Sequence, residues 1–145
     1  MPKRKQPVLS FYVGAKFSKM EPAVQDLIDF IKGIGHKITF DWTRFKVSKP
    51  YGKNRKHSAL ASRKMIQGVM HADIVIIITD ARGLGIHIET GAALATAVIM
   101  NLIKGKKKKT IFLVGMHNTR SVFYYDDCVV RVSSIRALKR RLQNL

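Results

Sequence analysis

The stretch that decides the fold is residues 73–95, Asp-Ile-Val-Ile-Ile-Ile-Thr-Asp-Ala-Arg-Gly-Leu-Gly-Ile-His-Ile-Glu-Thr-Gly-Ala-Ala-Leu-Ala. Its first part, Ile74 to Thr79, has no polar alternation, which is typical of a central strand buried on both faces. A turn containing Gly83 and Gly85 follows, and a helix is predicted from about Ile88 to Ile103. A strand, a glycine turn and a helix form the corner at which open α/β sheets place their ligand sites.

Strands and helices alternate along the rest of the chain. Apolar runs predict further strands at Val8 to Val13, Ile38 to Trp42, Thr110 to Val114 and Val129 to Val132. Apolar residues at helical spacing predict helices at Glu21 to Ile34, Ser58 to Met70 and Ser133 to Leu142. The predicted class is therefore α/β, a doubly wound five-stranded parallel sheet with helices on both faces, flavodoxin-like or Rossmann-like in outline. Residues 1–7 are predicted to form a basic tail and residues 8–145 a single domain.

The charge of the chain is extreme, with 27 Lys and Arg against 9 Asp and Glu, a net charge of +18. Such a field attracts nucleotides, nucleic acid or acidic surfaces, although a solvated basic face is the simpler interpretation. The single cysteine, Cys128, excludes an internal disulfide, and a structural zinc site is not expected. We expect no membrane-spanning helix and no signal peptide, hence a cytoplasmic protein, or a nuclear one if the lysine runs serve as a nuclear address.

Glu89 is the carboxylate expected on the first turn of the helix that follows the glycine turn. Acidic residues at that position commonly complement the helix dipole, which is its structural interpretation. The functional interpretation is a carboxylate that the helix terminus keeps ionised and aimed into the cleft. Such a nucleophile suits attack at an anomeric carbon, because it splits one glycosidic step into two.

Other residues at the predicted carboxyl edge of the sheet have two interpretations each. Tyr12 is either a core aromatic or a hydroxyl that holds the Glu89 carboxylate. Trp42, after Asp41, is either a core residue or an aromatic ring on which a base stacks. The Gly83-Leu-Gly85 turn matches neither a dinucleotide fingerprint nor a Walker loop, but its N–H groups suit a small anion. His71 and His87 are expected to be incidental, and no metal site is predicted.

Basic residues are concentrated in four places, at Lys3 to Lys5, Arg44 to Lys56, Lys104 to Lys109, and at Arg136, Lys139, Arg140 and Arg141. Charge runs are usually solvated loops. Because Phe45 and Tyr51 interleave with the second cluster, nucleic-acid binding through the basic loops stays open.

Three stretches resemble the nucleoside 2-deoxyribosyltransferase superfamily, which includes the 2′-deoxynucleoside 5′-monophosphate N-glycosidases. The first is Phe11-Tyr-Val-Gly-Ala-Lys-Phe17, similar to the family's first strand and turn. The second is Ala72-Asp73 with the strand Ile74 to Ile78. The third is Gly83-Leu-Gly85 with Glu89-Thr-Gly91-Ala-Ala, similar to the segment that carries the family's nucleophile. The likeness extends over residues 10 to about 115.

The resemblance implies a mechanism and a set of site residues. Glu89 would attack C1′ of a deoxyriboside, Tyr12 would orient it, and water or a second base would resolve the glycosyl-enzyme. It implies no cofactor, and a homodimer or larger oligomer. In the monophosphate hydrolases the first turn and a serine of a neighbouring subunit hold the 5′-phosphate, and here Ser121 is the candidate donor. The predicted substrate-binding residues are Gly14, Lys16, Ser18, Trp42, Asp80, Gly83, Gly85 and Ser121.

One departure bears on the reaction. The family usually has an acidic residue eight positions before the aspartate that opens strand three, and here that position is Met65. We therefore predict cleavage of the N-glycosidic bond of (deoxy)nucleoside 5′-monophosphates, since the charge favours a phosphorylated substrate. The alternatives are a deoxyribosyltransferase that exchanges bases on free deoxynucleosides, and a non-catalytic module that binds nucleotides or nucleic acid.

Overall fold

The computed structural model describes residues 6–17, 20–103 and 108–145. These residues form five strands and four α-helices. The strands are β1 (Ser10–Gly14), β2 (Lys37–Ile38), β3 (Ile74–Ile78), β4 (Thr110–Val114) and β5 (Val129–Val132). The α-helices are α1 (Glu21–Gly33), α2 (Arg55–His71), α3 (Leu84–Leu102) and α4 (Ile135–Leu142).

The strands form one parallel sheet in the order β2-β1-β3-β4-β5. One row of the sheet runs from Tyr12 through Val75 and Ile111 to Val129. From β1 the chain winds towards β2, and from β3 it winds the other way towards β4 and β5. The predicted doubly wound α/β class is confirmed, and its order places the switch point between the carboxyl ends of β1 and β3.

The core lies between the sheet and its two helical layers. Every residue of β3 is buried, which explains its unbroken apolar sequence. Right-handed crossovers in opposite directions place α1 and α4, which contact each other, on one face and α2 and α3 on the other. The buried face of α1 consists of Val24, Leu27, Ile28 and Ile31, the residues whose spacing predicts the helix.

Several predicted boundaries differ from the structure, among them the start of α2, which lies at Arg55 and not at Ser58, and two of them bear on the site. The predicted strand Ile38 to Trp42 ends at Ile38, because Asp41 caps a short 3-10 helix at Trp42–Arg44 by accepting from the Thr43 N–H at 3.1 Å. The predicted start of α3 near Ile88 is four residues late. Gly83 has extended backbone as the N-cap, and Leu84 already lies in the helix.

Lys109 is buried, although its sequence neighbours form a basic run whose members 104–107 lie outside the described residues. Its Nζ donates to the carbonyl oxygens of Val69 at 2.7 Å, Met70 at 3.1 Å and Ala72. These carbonyl groups at the end of α2 have no N–H donor inside the helix, so the ammonium group donates to them instead. Burial lowers the pKa of Lys109 to about 8. This lysine therefore serves the fold and is not part of a solvated basic surface.

Helix α3 is long and apolar enough to cross a membrane when judged by length and composition alone. Core helices of globular domains meet the same criterion, so the expectation that the chain has no membrane-spanning helix stays a prediction. Here α3 packs against β3, β4 and α2.

Candidate active site

Tyr12 and Glu89 meet at the switch point of the sheet. Tyr12 lies on β1 and Glu89 on α3, and the Tyr12 Oη donates to Glu89 Oε1 at 2.6 Å. Tyr12 is fully buried and Glu89 is 9% exposed. The structure thus brings together the two residues predicted to be catalytic: Tyr12 holds Oε1 of the carboxylate, and Oε2 lies beside Gly14.

The position of Glu89 along α3 differs from the prediction. Because the helix begins at Leu84, Glu89 is its sixth residue and lies in the second turn; no acidic residue occupies the first. The explanation of Glu89 as a dipole-complementing residue of the first turn is therefore wrong. Its side chain instead lies on the inner side of α3, with buried neighbours Ile86, Thr90 and Ala93.

Two glycines provide the space in which this pair fits. A Cβ at Gly14 would overlap Glu89 Oε2 and lie 2.8 Å from Ile77 Cδ1. A Cβ at Gly68, on α2, would lie 2.9 Å from Tyr12 Cδ2. The sequence predicts Gly14 as a site residue but does not predict Gly68. The available signal for Gly68 is an isolated glycine inside a helical pattern, which often marks close packing.

Burial shapes the protonation of both groups. Burial raises the pKa of Glu89 to about 7, and the hydrogen bond from Tyr12 acts in the opposite direction. The pKa of Tyr12 lies well above its ordinary value because of burial and the neighbouring Glu89 charge. Tyr12 therefore remains a donor at neutral pH, while Glu89 titrates close to neutrality.

A partly exposed group of charges lies at the same edge of the sheet. Asp80 accepts from the Arg82 backbone N–H at 2.7 Å, and Lys16 Nζ lies 3.7 Å from its carboxylate. The Arg82 hydrogen bond, with smaller contributions from Lys16 and His117, lowers the pKa of Asp80. His117 follows β4 and is not among the predicted residues; its Nδ1 is buried without a hydrogen-bond partner among the described residues. At this edge the Asp80 carboxylate therefore lies beside the Lys16 ammonium group and the Arg82 backbone N–H.

The remaining predicted site residues are spread around this centre. Trp42 is buried, its Nε1 donates to the Val13 carbonyl at 2.7 Å, and its ring meets Phe17 edge-on at 4.8 Å between centroids. The indole thus occupies the core, and its contact with substrate stays a prediction. Gly83 packs closely on Ile86, while Gly85 faces open space. Ser18 lies outside the described residues.

Ser121 lies in a different part of the molecule. It caps the short 3-10 helix Val122–Tyr125, which forms one wall of a groove of about 1080 Å³. The other wall is the outer side of α3, from His87 to Val98, and Tyr12, Gly14 and Glu89 do not line the groove. His87, expected to be incidental, has its Nδ1 3.2 Å from Tyr124 Oη.

Two further features of the site are its capacity to hold a metal ion and the residue at position 65. Within residues 6–17, 20–103 and 108–145, no group of three His, Cys, Asp or Glu side chains could hold a metal ion. Met65, at the position where the resembled family has an acid, packs against the core.

The fold is similar to that of a solved structure, the CMP N-glycosidase BcmB of Clostridium botulinum. The TM-score is 0.58 at 15% sequence identity, and the match covers 94% of this chain and 99% of that chain. No protein-family model matches this chain, and neither does any curated protein. At this identity the likeness establishes a shared α/β fold over nearly the whole chain.

Proposed function

We propose that this protein cleaves the N-glycosidic bond of a nucleoside 5′-monophosphate, ribo or deoxy, with Glu89 as the nucleophile. The observation that carries the proposal is the buried Tyr12–Glu89 pair at the switch point of the sheet. A carboxylate at that place, with one oxygen held and the other facing a glycine, is suited to attack on a bound ligand. The resemblance of the sequence motifs and the fold shared with a nucleotide N-glycosidase support the same reaction.

The reaction proceeds in two displacements. Glu89 Oε2 attacks C1′, the C1′–N bond breaks, and its electron pair leaves with the base, which takes up a proton. The glycosyl ester formed on Glu89 is then hydrolysed by water at C1′, which releases the sugar 5-phosphate and restores the carboxylate. Tyr12 positions Glu89 by its hydrogen bond to Oε1 and does not itself react.

The charges around the edge support a phosphorylated substrate. Lys16, which is half-buried, follows β1 and Arg82, which is exposed, follows β3, and the chain as a whole carries +18. A cationic surface raises the local concentration of anions and their association rate. The substrate phosphate is therefore assigned to the Lys16 and Arg82 side of the site.

The direct test is incubation of the purified protein with nucleosides and nucleoside 5′-monophosphates, both ribo and deoxy, followed by chromatography for free base. We expect base and sugar 5-phosphate to appear from at least one monophosphate, and more slowly from the matching nucleoside. Absence of base release from every compound, with and without an added acceptor base, would overturn the proposal.

Removal of the Tyr12 hydroxyl changes the pH dependence of the reaction. The nucleophile is the ionised form of Glu89, so the rate of the wild type should rise with pH through about 7 and then level off. The Tyr12 hydrogen bond lowers the pKa of Glu89, so the Tyr12→Phe variant should need a higher pH to reach its plateau. We expect about a 10-fold lower kcat near neutral pH and a smaller loss at alkaline pH.

The measurement is a pH–rate profile of both proteins. The matched control is Tyr51→Phe, which removes an exposed tyrosine hydroxyl elsewhere and should leave the profile unchanged. An equal loss of rate at all pH values in Tyr12→Phe would show that its hydroxyl does not act on the ionisation of Glu89.

Base exchange on free deoxynucleosides uses the same covalent intermediate, with a second base in place of water. The absence of an acid at Met65 removes a group that the resembled transferases use to place sugar or base. Product analysis separates the two reactions, since exchange yields a new nucleoside and hydrolysis yields a free sugar phosphate.

A non-catalytic nucleic-acid-binding module is the second candidate function, and one observation favours it. In the segment from Arg44 to Lys56, basic side chains are exposed together with Tyr51, over which Lys49 Nζ lies 5.8 Å from the ring centroid. Binding through many phosphates weakens steeply with salt, whereas binding of one nucleotide weakens little. Measuring the affinity for a single-stranded oligonucleotide between about 50 and 200 mM salt therefore distinguishes the binding module from the hydrolase. If the protein contacts several phosphates, its affinity should fall by about 10³-fold or more over that range.

A further inference from the structure

Lys109 is a buried cation that the proposed reaction does not use. The residue is 1% exposed, and three carbonyl oxygens at the end of α2 accept from its ammonium group. Lys109 lies directly before β4, whereas these carbonyl groups belong to residues 37 to 40 positions earlier in the chain. The end of α2 is therefore capped by a side chain that belongs to the start of a strand.

A cap of this kind determines where α2 ends relative to the sheet. Helices commonly end at a glycine with positive φ, which lets the following N–H groups satisfy the last carbonyl groups. The residue after α2 is Ala72, whose backbone is extended (φ −73°, ψ 138°). The carbonyl groups therefore depend on Lys109. Lys109 is itself fixed to the sheet, because the N–H of the next residue, Thr110, donates to the Asp73 carbonyl at 3.1 Å.

The part of α2 next to this cap supports the ring of Tyr12. Gly68 immediately precedes Val69, whose carbonyl oxygen accepts from Lys109 at 2.7 Å. The Gly68 backbone lies so close to Tyr12 that an added Cβ would be 2.9 Å from Cδ2 and 3.1 Å from Cε2 of the ring. Because Tyr12 lies on β1, its ring is enclosed between the sheet and α2. A displacement of the end of α2 would therefore give the ring room to move.

A second hydrogen bond ties Gly68 to the sheet. The Thr39 Oγ1 donates to the Gly68 carbonyl at 2.8 Å and lies 3.2 Å from the Phe11 carbonyl. Thr39 follows β2, and Phe11 precedes Tyr12 on β1. Gly68 is thus connected to the sheet at two places, directly through Thr39 and through the last turn of α2 by Lys109.

The position of the Tyr12 ring matters because its hydroxyl holds Glu89. The Tyr12 Oη donates to Glu89 Oε1 at 2.6 Å, and this hydrogen bond lowers the pKa of Glu89 against the effect of burial. Hydrogen bonds weaken steeply when their angle departs from linearity. A loosened ring would therefore hold the carboxylate less well, and a smaller fraction of Glu89 would be ionised at a given pH.

We infer that Lys109 is a positioning residue for Glu89, acting through the last turn of α2, Gly68 and the ring of Tyr12. Lys109 lies at the amino end of β4, away from the carboxyl edge of the sheet where Glu89 is found. Its ammonium group holds α2 at the distance from the sheet at which Tyr12 reaches Oε1. The consequence for catalysis rests on the proposed function, whereas the consequence for the ionisation of Glu89 requires no turnover.

Titration of Glu89 by nuclear magnetic resonance tests the inference without a substrate. Glu21 and Glu89 are the two glutamates of the chain, so protein labelled with ¹³C in glutamate gives two side-chain carboxyl signals, which Glu21→Gln assigns. Lys109→Met keeps the length of the side chain and removes the ammonium group. In this variant the midpoint of Glu89 should rise by about half a pH unit, which lowers its ionised fraction below the midpoint by about 3-fold. Lys32→Met, the same change at an exposed lysine in the last turn of α1, is the control and should leave the midpoint unchanged.

A double variant separates positioning from a general loss of stability. In Tyr12→Phe the hydroxyl is already absent, so adding Lys109→Met should not move the Glu89 midpoint further. If Lys109→Met does not fold, Lys109→Gln decides in its place, because its shorter side chain cannot reach all three carbonyl groups. An unchanged or lower midpoint in the folded single variant, or an equal rise in the Tyr12→Phe background, would overturn the inference.

Kinetics distinguish failure of this inference from failure of the proposed function. If the wild type releases base, Lys109→Met should lower kcat by about 3-fold at about pH 6 and leave KM unchanged, because only the ionised fraction of Glu89 falls. A raised midpoint in Lys109→Met, combined with no base release from the wild type, would retain the positioning role and overturn the proposed reaction.

Discussion

The Glu89→Gln variant is expected to release no measurable base under conditions in which the wild type turns over. Glutamine has nearly the same shape as glutamate, but its amide is not a nucleophile and cannot form the glycosyl ester. Removal of a covalent nucleophile costs orders of magnitude in kcat, so we expect a loss of about 10³-fold or more. The comparison is made by chromatography of free base on the substrate that the wild type prefers.

The same variant should fold at least as well as the wild type. The carbonyl oxygen of the introduced glutamine can accept the Tyr12 hydrogen bond, and a neutral amide avoids the desolvation that raises the pKa of Glu89. We therefore expect an unchanged or higher Tm. Glu21→Gln, which removes one acidic charge at the start of α1, is the control for charge loss. Full turnover by a well-folded Glu89→Gln protein would exclude Glu89 as the nucleophile.

The sequence predicts the sheet well where hydrophobic burial alone decides the structure. β4 and β5 have the predicted bounds, Thr110–Val114 and Val129–Val132, because each is a short segment rich in β-branched apolar residues between polar loops. β2 is shorter than predicted, because the Asp41 side chain competes for the backbone N–H of Thr43. A side chain that binds a nearby backbone N–H leaves the spacing of the apolar residues unchanged. The hydrophobic pattern therefore does not reveal such a cap.

The orientation of Tyr12 cannot be predicted from β1. Phe11, Tyr12 and Val13 are all buried, so the alternation that normally separates the two faces of a strand carries no information here. The contacts that decide the role of Tyr12 come from Gly68 and Glu89, which are far away in the chain. The orientation of the Tyr12 side chain is therefore determined by packing against residues distant in the sequence.

The predicted start of α3 is too late because glycines are poor helix residues. Gly83 and Gly85 together suggest a turn, yet Gly83 is the N-cap and Gly85 lies within the first helical turn. The earlier start moves Glu89 from the first turn of the helix to the second, where its side chain is buried. This burial raises its pKa, whereas a position at the helix terminus would have kept it ionised.

Gly14→Ala is expected to have the second-largest effect, although it adds only one methyl group. The new Cβ would overlap Glu89 Oε2 and crowd Ile77 Cδ1, so the carboxylate must move away from the place where it meets C1′. A displacement of about 1 Å at a reacting group can cost about 10²-fold in rate. We expect a loss of that size in kcat, measured as base release at saturating substrate.

The effect on stability should be smaller than the effect on rate. Overpacking in a dense core lowers the free energy of unfolding by about 1–3 kcal/mol. Alanine also restricts the unfolded chain more than glycine does, which offsets about 0.4–1 kcal/mol of that loss. Gly33→Ala, at a position with open space around the added Cβ, is the control and should not lower stability. In Gly14→Ala/Glu89→Asp the shorter side chain vacates the space, so stability should return while activity stays low. If Gly14→Ala were as active as the wild type, the position of Glu89 Oε2 beside β1 would have no part in the reaction.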